Sequence, residues 1–221
     1  MFRKKVDENR EILLQSFYNL EDRLTEKLGA DLVTVAFTAS SEKAQKIESL
    51  VTLSRHLVED GDRVLLVDAN LRDNELAKVT ENNKDKGFID IILGDYSIDD
   101  AVVTDPNYED LSYIYTGDVA SHADKYLDSE AIKEFYTNAH DRYDYVFINL
   151  TTNRDIPEAN MFAAKSDGVV VFSSYDLSNS PQTFESIKQL EKENANILGI
   201  IITDYMYAED EIDELFGGDD E

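Results

Sequence analysis

The stretch that most constrains this chain is residues 32–58, LVTVAFTASSEKAQKIESLVTLSRHLV. Leu32–Thr38 is apolar at almost every position, the pattern of a strand buried on both faces. A polar loop, Ala39–Gln45, follows. Ile47, Leu50, Val51, Ser54, Leu57 and Val58 then share one helical face. Gly61 can close that helix in the left-handed conformation, and Arg63–Asp68, RVLLVD, reads as a second buried strand. Strand, short loop, helix and strand in this order give a parallel sheet.

The same alternation runs down the chain. Asn70–Lys86 is polar and reads as loop with a short helix, and Phe88–Leu93 as a short apolar helix closed by Gly94. Leu111–Thr116, Tyr145–Leu150, Gly168–Ser173 and Ile197–Thr203 read as the third to sixth strands. Between them, Ser129 is a candidate N-cap, and Pro157 and Pro181 sit where helices accept a first-turn proline. The expected fold is α/β in three layers, a mainly parallel sheet with helices on both faces. The expected organisation is an N-terminal helix within residues 1–29, one α/β domain over 30–207 and an acidic, mobile tail over 208–221. In the first of these, Leu13, Phe17, Leu20, Leu24 and Leu28 form one apolar stripe, suited to packing, docking or self-association.

Composition narrows the function. With 47 acidic against 21 basic residues the formal charge is −26, which repels nucleic acid and anionic membrane. No 18-residue apolar run is present, the N-terminus lacks a signal-peptide core, and there are no cysteines. A cytoplasmic protein is expected, without disulfides or thiolate metal sites. His56, His122 and His140 have no ligand spacing and read as surface or filler residues.

The loop between the first strand and helix is where a phosphate-binding sequence G-x-x-x-x-G-K-[ST] would stand. Lys46 occupies the lysine position. The glycine positions hold Ser40 and Gln45, and the Mg²⁺-ligating hydroxyl position holds Ile47. Glu48 adds a negative charge to the first helical turn, where the dipole would otherwise favour phosphate. Taken alone, Lys46 reads as a solvated lysine at a helix start.

The order of landmarks resembles the cytoplasmic domain of bacterial tyrosine kinases of the capsule and exopolysaccharide type, the CpsD/CapB/Wzc family, within the MinD/ParA-like P-loop class. The resemblance covers roughly residues 10–204. LQSFYNLEDRL (14–24) stands at the family's oligomerisation helix and TASSEKAQKIES (38–49) at its phosphate loop. LLVDANLRDN (65–74) stands at the Walker A′ strand, GFIDIILGD (87–95) at a G-L-x-x-x-L-x-G segment, and YDYVFINLTT (143–152) at the Walker B strand. YIYTGDVASHADKYLDS (113–129) and ILGIIITD (197–204) parallel later segments.

For such a family the resemblance implies an ATP-dependent protein-tyrosine kinase using Mg²⁺, and this chain departs from it at the working positions. Asp68 keeps the first Walker A′ acid, but the second is Asn70 and the Walker B acid is Asn149. The oligomerisation helix has Tyr18, Glu21 and Asp22 in place of two arginines and a threonine, ASHA (120–123) replaces P-P-N-P, and only Tyr205 and Tyr207 lie where the family has a tyrosine cluster. The expectation is a pseudoenzyme, a regulatory or scaffold component of capsular or exopolysaccharide biosynthesis and export. It needs no cofactor, and its partner is a membrane adaptor of the polysaccharide co-polymerase type, an active paralogue kinase or further copies of itself, holding it at the membrane periphery. Asp68, Lys46 and Arg72 are its residual site residues. The alternatives are a divergent active kinase, with ATP and Mg²⁺, and a MinD/ParA-like positioning protein.

Overall fold

The computed structural model describes residues 18–19, 33–41, 46–119, 128–153, 156–178 and 180–203. β1 (Thr34–Ala39) leads into α1 (Lys46–Glu59) and β2 (Val64–Asp68). Three short helices follow, α2 (Glu75–Thr80), α3 (Phe88–Ile92) and α4 (Ile98–Ala101), then β3 (Val103–Thr104) and β4 (Leu111–Ile114). The second half alternates α5 (Ser129–His140), β5 (Tyr145–Asn149), α6 (Pro157–Lys165), β6 (Gly168–Ser174), a 3₁₀ turn (Tyr175–Leu177), α7 (Pro181–Lys192) and β7 (Ile197–Thr203). The strand order is β3-β4-β2-β5-β1-β6-β7, parallel throughout except for the β3–β4 pair.

Each face of the sheet carries its own core, because both sets of alternating strand side chains are apolar. Val35, Phe37, Leu66, Phe147, Val170 and Phe172 point to one side and meet Ile47, Leu50, Leu53 and Leu57 of α1 and Leu76 of α2. Ala36, Leu65, Val67, Ile148 and Val171 point to the other and meet α3 to α7 through residues such as Phe88, Phe135, Phe162 and Leu190. Phe88 stands edge-on to both Phe135 and Phe162 at 5.2 Å, a favourable aromatic geometry. The architecture is the three-layer α/β fold the sequence predicts. Among the described residues, no helix is long and apolar enough to cross a membrane.

Three local expectations are corrected. Among the described residues there are seven strands rather than six, since the two-residue β3 is too short to show a period and pairs only at the sheet edge. The α4 turn was also unread, although its capping box is a sequence signal: Asp100 Oδ2 accepts from Ser97 N and Oγ at 3.1 and 2.7 Å. Asp128, not Ser129, caps α5, its carboxylate accepting from Glu130 N at 3.0 Å. Gly61 does adopt φ +104°, as a left-handed helix end requires. Of the expected N-terminal helix only Tyr18 and Asn19 are described, both helical. Tyr18 packs on the α1-side core and donates to Asp60 Oδ2 at 2.6 Å. The rest of that helix, the ASHA segment with His122, Tyr205, Tyr207 and the acidic tail lie outside the described residues.

Candidate functional site

Parallel pairing alone brings the key polar residues together. Asp68, the last residue of β2, is in register with Asn149, the last residue of β5, and Asn149 is in register with Phe37 of β1. The carboxyl ends of three central strands therefore meet, and α1 starts beside them with Lys46. Open α/β sheets bind ligands at this edge.

Lys46 is not solvated, contrary to the reading from its local sequence; it is 5% exposed. Its ammonium donates to Asn149 Oδ1, to the Leu150 carbonyl at 2.7 Å and, at the limit of hydrogen bonding, to Glu75 Oε2 at 3.5 Å. Asn149 spends its amide hydrogens on Asp68 Oδ1 at 2.9 Å and Glu75 Oε2 at 3.0 Å. Asp68 further accepts from Leu76 N at 2.9 Å and Asn70 N at 3.2 Å. Asn70 is turned to its own loop, its Oδ1 accepting from Arg72 N at 3.0 Å and Asp73 N at 3.3 Å. The cluster is closed: each donor at its centre has an acceptor from the protein.

The charges are set by burial. Desolvation lowers the Lys46 pKa, opposed by Glu75 and Asp68. Desolvation likewise pushes the Asp68 carboxyl up to about 6, opposed by its hydrogen bonds from Leu76, Asn149 and Asn70 and by Lys46. Glu75 was missed by sequence reasoning. An acid in the first turn of α2 was visible, but its reach to Lys46, 29 residues away, depends on the tertiary fold.

The remaining predicted positions are placed elsewhere. Ile47 is 7% exposed and packs in the α1-side core, where it offers no oxygen. Ser40 faces β6: its Oγ donates to Ser173 Oγ at 3.0 Å and its N–H to the Phe172 carbonyl at 2.9 Å. Ser173 continues to Thr183 at 3.1 Å, so a buried hydroxyl chain ties the start of the loop to α7. Arg72 is a surface arginine, 59% exposed and paired with Glu158 of α6, and is not part of the cluster. Gln45 lies outside the described residues. His56 is half-buried within 3.7 Å of Glu59 and Asp60, and His140 is exposed. The loop after β5 is pinned by a buried amide network that sequence reasoning did not find. Asn153 donates to Asn160 Oδ1 at 3.0 Å and the Ser186 carbonyl at 2.8 Å, and accepts from Ser186 Oγ.

Mg²⁺ takes a shell of hard, largely anionic oxygens. Here the oxygens of Asp68 are occupied by three N–H donors, Asn149 Oδ1 is taken by Lys46, and Ile47 is apolar and buried. The donor set does not fit that ion. A phosphate at this edge would have to draw Lys46 away from Asn149, Leu150 and Glu75.

Residues 43–200 match the model of the AAA domain family AAA_31. Among curated proteins, EpsB of Ralstonia nicotianae, provisionally named a tyrosine-protein kinase, is 27% identical over 64% of this chain. The succinoglycan biosynthesis transport protein ExoP of Rhizobium meliloti is 23% identical over 89% of the chain. The chain spans only 19% and 25% of the lengths of these two relatives. Among solved structures, the kinase domain of VpsO superposes with a TM-score of 0.73 at 20% identity, over 93% of this chain and 100% of that one, a likeness of fold. The chain is thus related to tyrosine-kinase-like proteins of exopolysaccharide biosynthesis and export, and by the span of the family match it belongs to the AAA domain family AAA_31.

Proposed function

We propose that this chain is a tyrosine-kinase-like pseudoenzyme, a regulatory or scaffold component of capsular or exopolysaccharide biosynthesis and export. One observation carries the reading: the Lys46 ammonium is consumed inside the protein, by Asn149, the Leu150 carbonyl and Glu75. Phosphoryl transfer depends on cations placed against the phosphates, and loss of the metal removes several kcal/mol of transition-state stabilisation. In this chain the lysine serves as an internal counterion, and amides stand where metal-holding carboxylates are expected. Asn149 suits the structural role better than a carboxylate, because it can accept from Lys46 and donate to Asp68 and Glu75 at once.

The fold is kept while its chemistry is given up, which suits a protein whose product is a complex. Its partner is a membrane adaptor of the polysaccharide co-polymerase type or an active paralogue kinase, with self-association a further route. Through either it works in the cytoplasm, at the membrane periphery, with neither ATP nor Mg²⁺ as a cofactor. Incubation with Mg·ATP and a cytoplasmic adaptor fragment should leave an anti-phosphotyrosine blot blank for both components. Phosphotyrosine that appears with the wild type and is lost in Lys46→Met would replace the proposal with a divergent kinase. The observation favouring that second reading is the long Lys46–Glu75 contact, with Glu75 32% exposed, so that Glu75 can swing to water.

A further inference from the structure

The two edges of the sheet are built differently. The β3 edge has the devices that keep strands from pairing with strangers: it is two residues long, antiparallel, and followed by Asp105 and Pro106. Lys84 covers the adjoining backbone, donating to the Val102 carbonyl at 3.2 Å. The β7 edge is neither short nor closed by a proline or a covering lysine, and its one irregularity is a register shift against β6 near its start, between Val169 and Val170. Its sequence, ILGIIIT, is seven residues long without a charge or a proline. It pairs with β6 on one side and, among the described residues, with no strand on the other.

Side-chain exposure marks the same place. Five large hydrophobics are exposed among the described residues, and two of them, Tyr96 and Tyr175, carry a hydroxyl. The other three are Ile200 and Ile202 of β7, 41% and 47% exposed, and Phe184 of α7, 56% exposed. Ile200 and Ile202 are in register with Val171 and Ser173, which places them on the α6–α7 side of the sheet with Phe184. An apolar margin thus runs along a row of backbone donors and acceptors that, among the described residues, no strand pairs.

Charge selects the occupant. A second copy would bring −26 against −26. The 18 residues that follow Thr203 in sequence contain nine acids, Asp204, Glu209, Asp210, Glu211, Asp213, Glu214, Asp219, Asp220 and Glu221, and no base. Repulsion between copies guards this edge against its own kind while leaving it open to the opposite sign. We propose that β7 is a docking edge for an extended partner segment, apolar in its centre and flanked by lysine or arginine, which adds to the sheet as an eighth strand. Main-chain bonds would hold it, Ile200 and Ile202 would be covered by its apolar side chains, and its basic ends would suit the chain's net charge of −26. β1 and β6 stand between this edge and β5, the nearer strand of the Asp68–Asn149 cluster, so failure here and failure of the pseudoenzyme reading are separate results.

Amide hydrogen exchange on the full chain tests the proposal. The probe is a capped nine-residue peptide of alternating valine and threonine between Lys-Lys ends, with a Glu-Glu-ended peptide as control. The basic peptide should slow exchange in β7 by ten-fold or more at saturation and leave β3 unchanged. The double variant Ile200→Lys/Ile202→Lys alters only exposed side chains and should lose the effect. Should that variant misfold, the acidic peptide still decides, because equal slowing by it overturns the assignment of a basic partner. Slowing without peptide that grows with protein concentration would assign the edge to a second copy. Protection at every concentration would assign it to another segment of this chain. No slowing with the basic peptide overturns the proposal.

Discussion

Asp68 offers the most quantitative handle on the central cluster. The carboxyl is fully buried, and burial raises it from 3.8 to about 6 against three hydrogen bonds and Lys46. A raised acid pKa means that the folded chain binds this proton more tightly than the unfolded chain. Its contribution to stability is complete below about pH 3.8, declines as the pH rises, and is gone once the pH has passed about 6. The full span is worth about 3 kcal/mol, from roughly 2 pH units at 1.36 kcal/mol each. Work near the isoelectric point of about 4.3 is impractical, so the usable window opens at about pH 5, where about 1–2 kcal/mol remains. The wild-type curve alone is not diagnostic, because Asp68 is one of 47 acidic residues in the chain. Asp68→Asn removes the one group and leaves the others. The wild-type stability minus that of the variant should therefore fall by about 1–2 kcal/mol between about pH 5 and pH 7.5, the variant gaining on the wild type as pH rises. Urea unfolding followed by circular dichroism measures it, with equal m-values as the check that both chains unfold to the same extent. A difference constant within about 0.5 kcal/mol would show that Asp68 is not a desolvated carboxyl, and the electrostatic account of the cluster would fail.

Three further perturbations follow from the packing. Lys46→Met leaves the Leu150 carbonyl and Asn149 Oδ1 without their donor and Asp68 without its cation; unfolding should cost about 2–3 kcal/mol less, tempered by relief of ammonium desolvation and the partial exposure of Glu75, whereas a solvated lysine would give no change. Gly87→Ala puts a methyl group 2.3 Å from Gly117 N and the Tyr115 carbonyl oxygen, both backbone atoms that cannot step aside, and thermal unfolding should report about 2 kcal/mol of destabilisation. Asn153→Ala strands the buried Ser186 hydroxyl and Asn160 Oδ1 and removes the extra donor to the Ser186 carbonyl, and should cost about 2–3 kcal/mol in urea unfolding with no effect on the Asp68 titration.

How much of this was legible depends on how far a residue's environment is local. β1, β2, β5 and β6 are apolar on both faces and short, so their sequence already carries the three-layer fold. Pro157 and Pro181 mark helix starts by backbone chemistry alone, and both open helices. β3 failed because two residues cannot express a period. The meeting of Lys46, Asp68 and Asn149 was legible from the order of segments, since parallel strands end at one edge. The burial of Lys46 was not. A lysine at a helix start looks solvated until Glu75 and Asn149, 29 and 103 residues away, are folded against it. Arg72 shows the opposite outcome: it lies four residues after Asp68 in sequence, yet Glu158 holds it on the surface, 86 residues away in the chain. The Asn153–Asn160–Ser186 network had no signal at all, because buried amides look like loop residues until their partners are known.

The account turns on whether Lys46 is available to a phosphate. Isothermal calorimetry of the full chain with Mg·ATP, taken to millimolar nucleotide, asks this directly, with Lys46→Met titrated alongside. The closed cluster predicts no binding heat above dilution for either protein. Saturable heat with the wild type that vanishes in Lys46→Met would contradict it, and would make Lys46 a nucleotide ligand after all.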